Sequence, residues 1–452
     1  MFGKLKQFLS GDASAEAFKN RKPGGGTRMG GAPSDPPQEP PARPPEANNP
    51  PPQLDRIIVP QSAMDALPDD PAPLVLAVVR FTNHMTGEGR YKRTELPPAA
   101  LQAFHCDYYL AQVNNGGHAQ FVHNTLALIE DTFEDVVTGL KAMGAMDYLI
   151  LARSAQKWVR DNPEEAAQQT GFEGGIADGL RRLDQPFFQL DRKTPLQAFI
   201  ARWIAGHPQL EVVADEDWGD ALQDLADANP ERARRDAIID CAATVGRFAN
   251  PLLVGASMGC WRIGEADFLL GVSNGSYRDV DGTQEMAFKV QSLGGPRFAV
   301  PVEGQGVTLY DCIRHDNSHM PKDPFKASLD DIRQFRPDEL SERLAHVTQA
   351  EIQTAIETAE RLKVGAAIHL LKSRIPDMDV LPTLTIIHAG PGPNGELLFT
   401  CAFPKDGGAW LFKIGPVGAI YTHPGKGPEG SAAASRAEID FHAETHRLEG
   451  LR

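Results

Sequence analysis

Long hydrophobic runs are missing from this 452-residue chain. No stretch reaches the roughly 18 apolar residues that a membrane-spanning helix needs. The opening "MFGKLKQFLSG" has neither the apolar core nor the small-residue cleavage site of a secretory signal. Cysteine is scarce. Cys106, Cys241, Cys260, Cys312 and Cys401 are odd in number, widely spaced and free of any C-x-x-C pair. That usage argues against a disulfide framework or a thiolate zinc site and fits reduced thiols in a cytoplasm. Cations are also in deficit, with 45 Lys and Arg against 60 Asp and Glu and a net charge of -15. The deficit is uneven: Leu54 to Pro230 holds 26 acidic and 14 basic residues, so -12 of the charge sits there. A field of that sign repels phosphate, which argues against direct nucleic-acid binding, and it attracts a basic partner. Plain solubility is the competing account of the same charge.

What is present divides the chain. Residues 1–21 carry a short amphipathic segment with Phe2, Leu5, Phe8 and Leu9 opposite Lys4 and Lys6. Residues 22–53 are a Pro/Gly-rich linker, too poor in apolar side chains to form a packed core. From 54 to 250 the apolar period is helical and the surface acidic. "TELPPAALQAFHCDYYLAQV" opens with two prolines in its first turn, and "TPLQAFIARWIAGHP" spaces Leu196, Phe199, Ile200 and Trp203 at helical intervals. From 251 to 425 the pattern turns α+β, with short antiparallel strands broken by Asn-Gly, Asp-Gly and Gly-Gly turns around a helical block at 327–373. The two strand groups share a hairpin rhythm but no residue pattern that aligns. Residues 426–452 read as a tail, small and polar to Arg436 and then a short helix. The fold class is therefore multi-domain: an all-α helical domain followed by an α+β half.

"YYLAQVNNGGHAQFVHN", Tyr108 to Asn124, places amides and glycines between two helical patterns. Asn and Gly tolerate left-handed backbone angles, so the stretch reads as a corner between two helices. Asn114 or Asn115 would cap a helix end, Gly116 and Gly117 would reverse the chain, and Phe121 would point inward. A metal reading needs His118 and His123, but five residues apart on a helix they face different directions. No nucleophile or acid–base pair accompanies the stretch.

This stretch resembles the bacterial nineteen-kilodalton DNA-mimic protein family, together with "LPPAALQAF" before it and "LKAMGAMDYLILARSA", "LDQPFFQL" and "LQAFIARWIAGHP" after it. The resemblance covers roughly residues 70–210. Gln112 stands where that family usually has Glu, and Val122 and His123 depart from its second aromatic and neighbour, while Gln120 and Asn124 keep its pattern. It implies an all-helical, usually dimeric domain without catalysis, binding a transcription regulator through carboxylates that imitate DNA phosphates.

Two acidic clusters are the candidate partner-binding residues. Glu130, Asp131, Glu134 and Asp135 form one, and Asp215, Glu216, Asp217, Asp220 and Asp224 the other. Spacings of four, as in Asp131 and Asp135 or Glu216, Asp220 and Asp224, put carboxylates on one helical face. The second half offers less. Asp311, Cys312, His315, Asp316 and His319 cluster in "YDCIRHDNSHMPKD", a polar stretch ending at Pro321 that reads as a loop. "GPGPNG" and "GKGPEG" lack the Lys-Ser or Lys-Thr of a phosphate loop, and "ASMGCW" reads as buried packing.

The expectation is a cytoplasmic, non-catalytic protein-binding module without metal or cofactor, whose basic partner is a protein such as a DNA-binding regulator or a nucleoid protein. A homodimer follows from the resemblance. The rival is an enzyme or effector with its site in 251–425 and the helical domain as a docking unit. The linker reading is directly testable. Limited proteolysis is expected to cut first within 22–53 and leave a resistant core that starts near Leu54. Hydrogen-exchange protection across 22–53 would contradict it.

Overall fold

The change of pattern expected at residue 251 is a change of architecture: one more helix runs to Ile263, and antiparallel strands begin at Leu269. A computed structural model describes residues 53–170, 175–264, 267–321, 328–374, 384–392, 395–402, 410–422 and 431–448. The amphipathic segment 1–21, the linker 22–53 apart from Gln53, and "GKGPEG" lie outside the described residues. Two compact units divide at Asp236/Ala237. No single described helix is long and apolar enough to cross a membrane.

The first unit starts with strand β1 (Ile57–Pro60), which pairs in parallel with β2 (Leu210–Val213). Both strands are four residues long, too short to show a period of two inside a helical pattern. Between them run α1 (Gln61–Ala66), α2 (Ala72–Gly87), α3 (Pro98–Thr125), α4 (Ile129–Ala142), α5 (Met146–Asp161), α6 (Pro163–Ala167), α7 (Asp178–Lys193) and α8 (Leu196–Ala205). α9 (Trp218–Asp227) follows β2, and α10 (Arg232–Ala249) continues the chain into the second unit. One core takes side chains from the long helices α2 to α5, α7 and α8: Leu74, Val78 and Phe81 of α2, Tyr109 and Phe121 of α3, Phe133 and Leu140 of α4, Tyr148 of α5, Phe187 of α7 and Ile200 of α8. A buried ion pair ties the unit's end to its middle. Arg235 of α10 donates from both terminal nitrogens to Glu95, at 2.6 and 2.7 Å, with the side chains 5 % and 2 % exposed. Burial alone would raise the Glu95 carboxyl. The Arg235 hydrogen bonds and the Lys92 amide outweigh burial and hold it below the usual carboxylate value.

The second unit repeats one design twice. α11 (Pro251–Ile263) leads into a five-stranded antiparallel meander: β3 (Leu269–Val280), β4 (Thr283–Ser292), β5 (Gly295–Val302), β6 (Gly306–Ile313) and β7 (Glu339–Thr348). A short helix α12 (Leu329–Gln334) lies between β6 and β7, and α13 (Gln349–Arg361) leaves β7 directly. α14 (Val364–Lys372) leads into a second meander of the same order: β8 (Leu384–Gly392), β9 (Gly395–Ala402), β10 (Trp410–Gly415), β11 (Gly418–Thr422) and β12 (Ser431–Ser435). α15 (Arg436–Thr445) leaves β12 directly. The joints match atom for atom. Thr348 and Glu351 close a capping box on α13, and Ser435 and Glu438 close the same box on α15. Arg262, at the end of α11, bonds Glu351 and the carbonyl of His346, two residues before Thr348. Arg374, just past α14, bonds Glu438 and the carbonyl of Ala433, two residues before Ser435. The fourth strand of each meander starts on a glycine of positive φ, Gly306 at 117° and Gly418 at 153°, paired with the capping residue itself.

Three readings of the sequence change here. The helical block expected over 327–373 is interrupted by β7, whose Leu340, Ala345 and Val347 are shielded by neighbouring strands and helices. Asn274-Gly275 is a bulge inside β3 rather than a turn, and the reversal falls at Asp281-Gly282, with φ of 53° and 84°. Residues 431–435, expected as small polar tail, form β12, while the short helix expected after them is α15. The alanines of "SAAAS" gave no strand signal, and α15 is fixed by its capping box. "ASMGCW" does lie in buried α11, where Gly255 and Gly259 let the helix approach Val307 and Leu309 so closely that a Cβ would stand 2.6 and 2.7 Å from their side chains.

The twin boxes predict an acid response. Arg262 first, against a burial penalty, and then Thr348 hold the Glu351 carboxyl at about 2. The Ser435 hydrogen bonds, against burial, and Arg374 hold Glu438 at about 2. Both start from 4.5, so their contribution is full above that pH and is lost as pH falls toward 2. Calorimetry of the full chain should show Glu351→Gln/Glu438→Gln melting earlier at neutral pH but losing less between those limits. Parallel pH curves for the two proteins would refute the assignment.

Candidate acidic interaction surface

The corner at "NNGG" sets the frame of the helical unit. The α3 helix spans the stretch, but Gly116 (φ -156°, ψ 25°) and Gly117 (φ 77°, ψ -177°) break its path. The helix that resumes at His118 is capped from outside. Asp184 of α7 accepts the His118 backbone N–H at 2.9 Å and faces its ring Nδ1 at 2.7 Å. A Cβ on Gly117 would stand 2.5 Å from that carboxylate, and the positive φ disfavours any other residue. The capping role expected of Asn114 or Asn115 therefore falls to Asp184. Asn114 donates instead to Asp191 at 3.2 Å, and Asn115 is exposed. Gln112 accepts from both Gln120 and Asn124, bridging the two arms. Phe121 is fully buried, edge-on to Tyr109 and Phe133.

His118 Nε2 lies 2.8 Å from the Tyr109 hydroxyl, so Asp184, His118 and Tyr109 form a chain of the kind that activates nucleophiles. Tyr109 and His118 are both 0 % exposed. Burial, with Asp184 next, pushes the Tyr109 phenol well above its ordinary value, so the hydroxyl stays protonated and sealed from substrate. The chain of three holds the corner together.

The two acidic clusters differ in their surroundings. On α4, Glu130 is gripped by Arg160 at 2.6 Å, and that hydrogen bond holds its carboxyl low. Asp135 is 8 % exposed, bonded to Arg93 at 2.7 Å and to His105 at 2.8 Å. It is inside, so the surface row expected from Asp131 to Asp135 does not form. Arg93 reaches Glu134 as well, at 3.7 Å, and bonds the carbonyl of Asp131. Two arginines thus offset about half the charge of this cluster, and Asp131 and Glu134 stay exposed. On α9, Leu222 and Ala226 are buried, Trp218 donates to the carbonyl of Ile58, and Tyr91 donates to that of Leu225. The opposite face carries Asp220 and Asp224, and Asp215, Glu216 and Asp217 lie just before the helix. All five are exposed. Asp215 accepts the Ser62 amide at 3.0 Å. Among the described residues no Lys, Arg or His pairs with any of the five. A cavity of about 460 Å³ adjoins them, lined by Asp215, Trp218, Arg80 and the half-exposed Leu76.

The loop cluster of the second unit does not converge. Asp311 pairs with Arg297, His315 Nε2 lies 2.9 Å from Glu339, His319 faces the carbonyl of Asp331, and Asp316 caps Ser318. The ligand-type group that does converge in this unit is Cys241, His369 and His442, which the sequence pattern did not single out. One signal was available: His442 and His446 are four apart at the end of α15, the spacing of metal-binding helix pairs.

Residues 94–207 match the model of a family described as DMP19-like protein, the DNA-mimic family that the corner stretch resembles. The match takes in the corner, Asp184 and the first acidic cluster, and it ends before β2 and the second cluster. No curated protein and no solved structure gives a significant match to the chain.

The corner yields a graded prediction. Gly117→Val is expected to cost roughly 1–3 kcal/mol from strain at positive φ. Asp184→Ala, which uncaps the helix and orphans a buried imidazole nitrogen, should cost about 2–3 kcal/mol. Asn114→Ala removes one exposed hydrogen bond and should cost no more than about 0.5 kcal/mol. Urea melts of the three variants would overturn the account if Asn114→Ala were the most damaging.

Proposed function

We propose that the helical unit is a protein-binding module that offers carboxylates to a basic partner which otherwise grips DNA. The observation that carries this reading is the exposed set Glu216, Asp217, Asp220 and Asp224, without a cationic partner among the described residues; Asp220 and Asp224 stand one turn apart on α9, and Glu216 and Asp217 lie in the turn before it, so the expected row of three shortens to two. Like charges one turn apart repel by a few tenths of a kcal/mol per pair. α9 keeps that penalty in full at Asp220 and Asp224, whereas Arg93 and Arg160 reduce it on α4. Carboxylates about 6 Å apart along a helix approach the spacing of successive phosphates on a DNA strand. Leu76 and Trp218, which line a cavity with Asp215 just before Glu216, supply the apolar contact that gives a charged interface its residence time. The match over 94–207 supports a DNA-mimic scaffold. The partner in this reading is a DNA-binding regulator, and the compartment is the cytoplasm.

The test isolates partners from a bacterial lysate on the immobilised chain and identifies those eluted by a salt gradient. The identified protein is then titrated against the chain and against duplex DNA. The two ligands should compete, and affinity for the chain should fall steeply with salt. Glu216→Gln/Asp220→Asn/Asp224→Asn should lose about tenfold or more in affinity, with melting unchanged or raised. Glu130→Gln should change binding little, because Arg160 already neutralises that charge. Salt-insensitive binding, or full binding by the triple variant, would refute the reading.

A further inference from the structure

Three helices of the second unit bring a thiol and two imidazoles to one point. Cys241 of α10, His369 of α14 and His442 of α15 are 2 %, 7 % and 8 % exposed. One ligand-type atom from each, a sulfur and two ring nitrogens, lies within 4.8 Å of the other two. His369 Nδ1 and His442 Nε2 are 2.8 Å apart. The two rings share one hydrogen bond there, in place of the bonds an ion would make to both. A zinc-class ion bonds sulfur at about 2.3 Å and imidazole nitrogen at about 2.0–2.1 Å. Side-chain adjustments of about an ångström would bring these three atoms around one centre.

The surroundings are those of a ligand set. With Nδ1 of His369 turned to the centre, its Nε2 faces Asp240 Oδ2 at 3.4 Å, the carboxylate–histidine relay that orients metal-binding rings. Lys372 holds the same carboxylate oxygen at 2.7 Å. His446 stacks on His442 one turn further along, with centroids 3.9 Å apart. Cys241 and His446 both line a largely apolar cavity of about 750 Å³. We propose that Cys241, His369 and His442 bind one zinc-class divalent ion, whose fourth position opens to this cavity.

The protonation states suit that role. Burial, with the neighbouring His446, His369 and Arg374, lowers His442 to about 3, and burial lowers His369 against the pull of Asp240. An ion would replace the hydrogen bond between His369 Nδ1 and His442 Nε2, with the proton of that bond moving to the outer nitrogen of its ring. Burial and Asp240 push the Cys241 thiol up to about 11. The ion forms its bond to sulfur by displacing that proton to solvent, as in other thiolate sites. Three protein ligands and an open position make a Lewis-acid centre able to hold water or a small polar ligand from the cavity.

The experiment uses the full chain, stripped with a chelator and titrated with cobalt(II). One equivalent should bind with the intense visible bands of tetrahedral cobalt and a near-ultraviolet thiolate charge-transfer band, and zinc should displace it. Cys241→Ser should abolish the charge-transfer band. His442→Gln should weaken binding by at least about tenfold. His319→Gln, in the non-converging loop, should change nothing. The wild-type titration decides even where a variant fails to fold: only weak octahedral cobalt absorption there overturns the proposal. A thiolate band that survives Cys241→Ser overturns it as well, by assigning the ion to another cysteine. The outcome is independent of the acidic face of the helical unit, whose test reads partner affinity against salt.

Discussion

The Asp184 carboxylate holds two N–H groups of one residue, the amide and the ring of His118, in the space a side chain on Gly117 would need. Much of the helical unit hangs on that contact. It caps the second arm of α3 at the point where the first arm has run out of backbone partners. It also fixes the His118 ring against Tyr109, from which a run of edge-on aromatics extends through Phe121 to Phe133 and through Phe187 to Tyr148. The corner is therefore a closed set: a glycine that must be glycine, a carboxylate that must reach it from α7, and a ring that must accept the consequences.

That corner was partly legible. Asn-Asn-Gly-Gly between two helical periods announces a change of direction, and the amides suggested the caps. The cap itself comes from 66 residues further along the chain, and no local pattern reports such a distance. The acidic clusters teach the same lesson with charge. Residue by residue, "EDTFED" and "DEDWGDALQD" look alike. Arg93 arrives from 42 residues before Asp135 and Arg160 from 30 residues after Glu130, and together they offset about half of the first cluster's charge. Nothing comparable reaches Asp220 or Asp224 among the described residues. The sequence shows where carboxylates are, and the fold decides which still have an unmet field.

The second unit was legible in class and opaque in plan. Alternating strands and Gly-containing turns gave α+β, but the two meanders share almost no side chains that could be aligned. Their common elements are polar and sparse: a hydroxyl capping residue with Glu three positions on, an arginine far upstream, and a glycine opening the fourth strand. These fix joints, whereas strand interiors need only be apolar on one face, so the joints persist as pattern while the interiors vary. His369 is set within the apolar "GAAIHLLK" of α14. Its meaning depends on Cys241 and His442, which lie on two other helices.

The repeated arginine clamp also measures the slack in each copy. Arg262 and Glu351 are 89 residues apart and Arg374 and Glu438 are 64, yet both pairs close the same joint. Loop-closure entropy grows only with the logarithm of length, so the longer circuit costs roughly 0.3 kcal/mol more than the shorter. The extra length sits largely in the long β3–β4 hairpin and in the excursion between β6 and β7, away from the clamp. A joint held this way tolerates growth at its periphery almost without thermodynamic consequence, so the hairpin tips are where such a module can acquire new surface while its frame stays as it is.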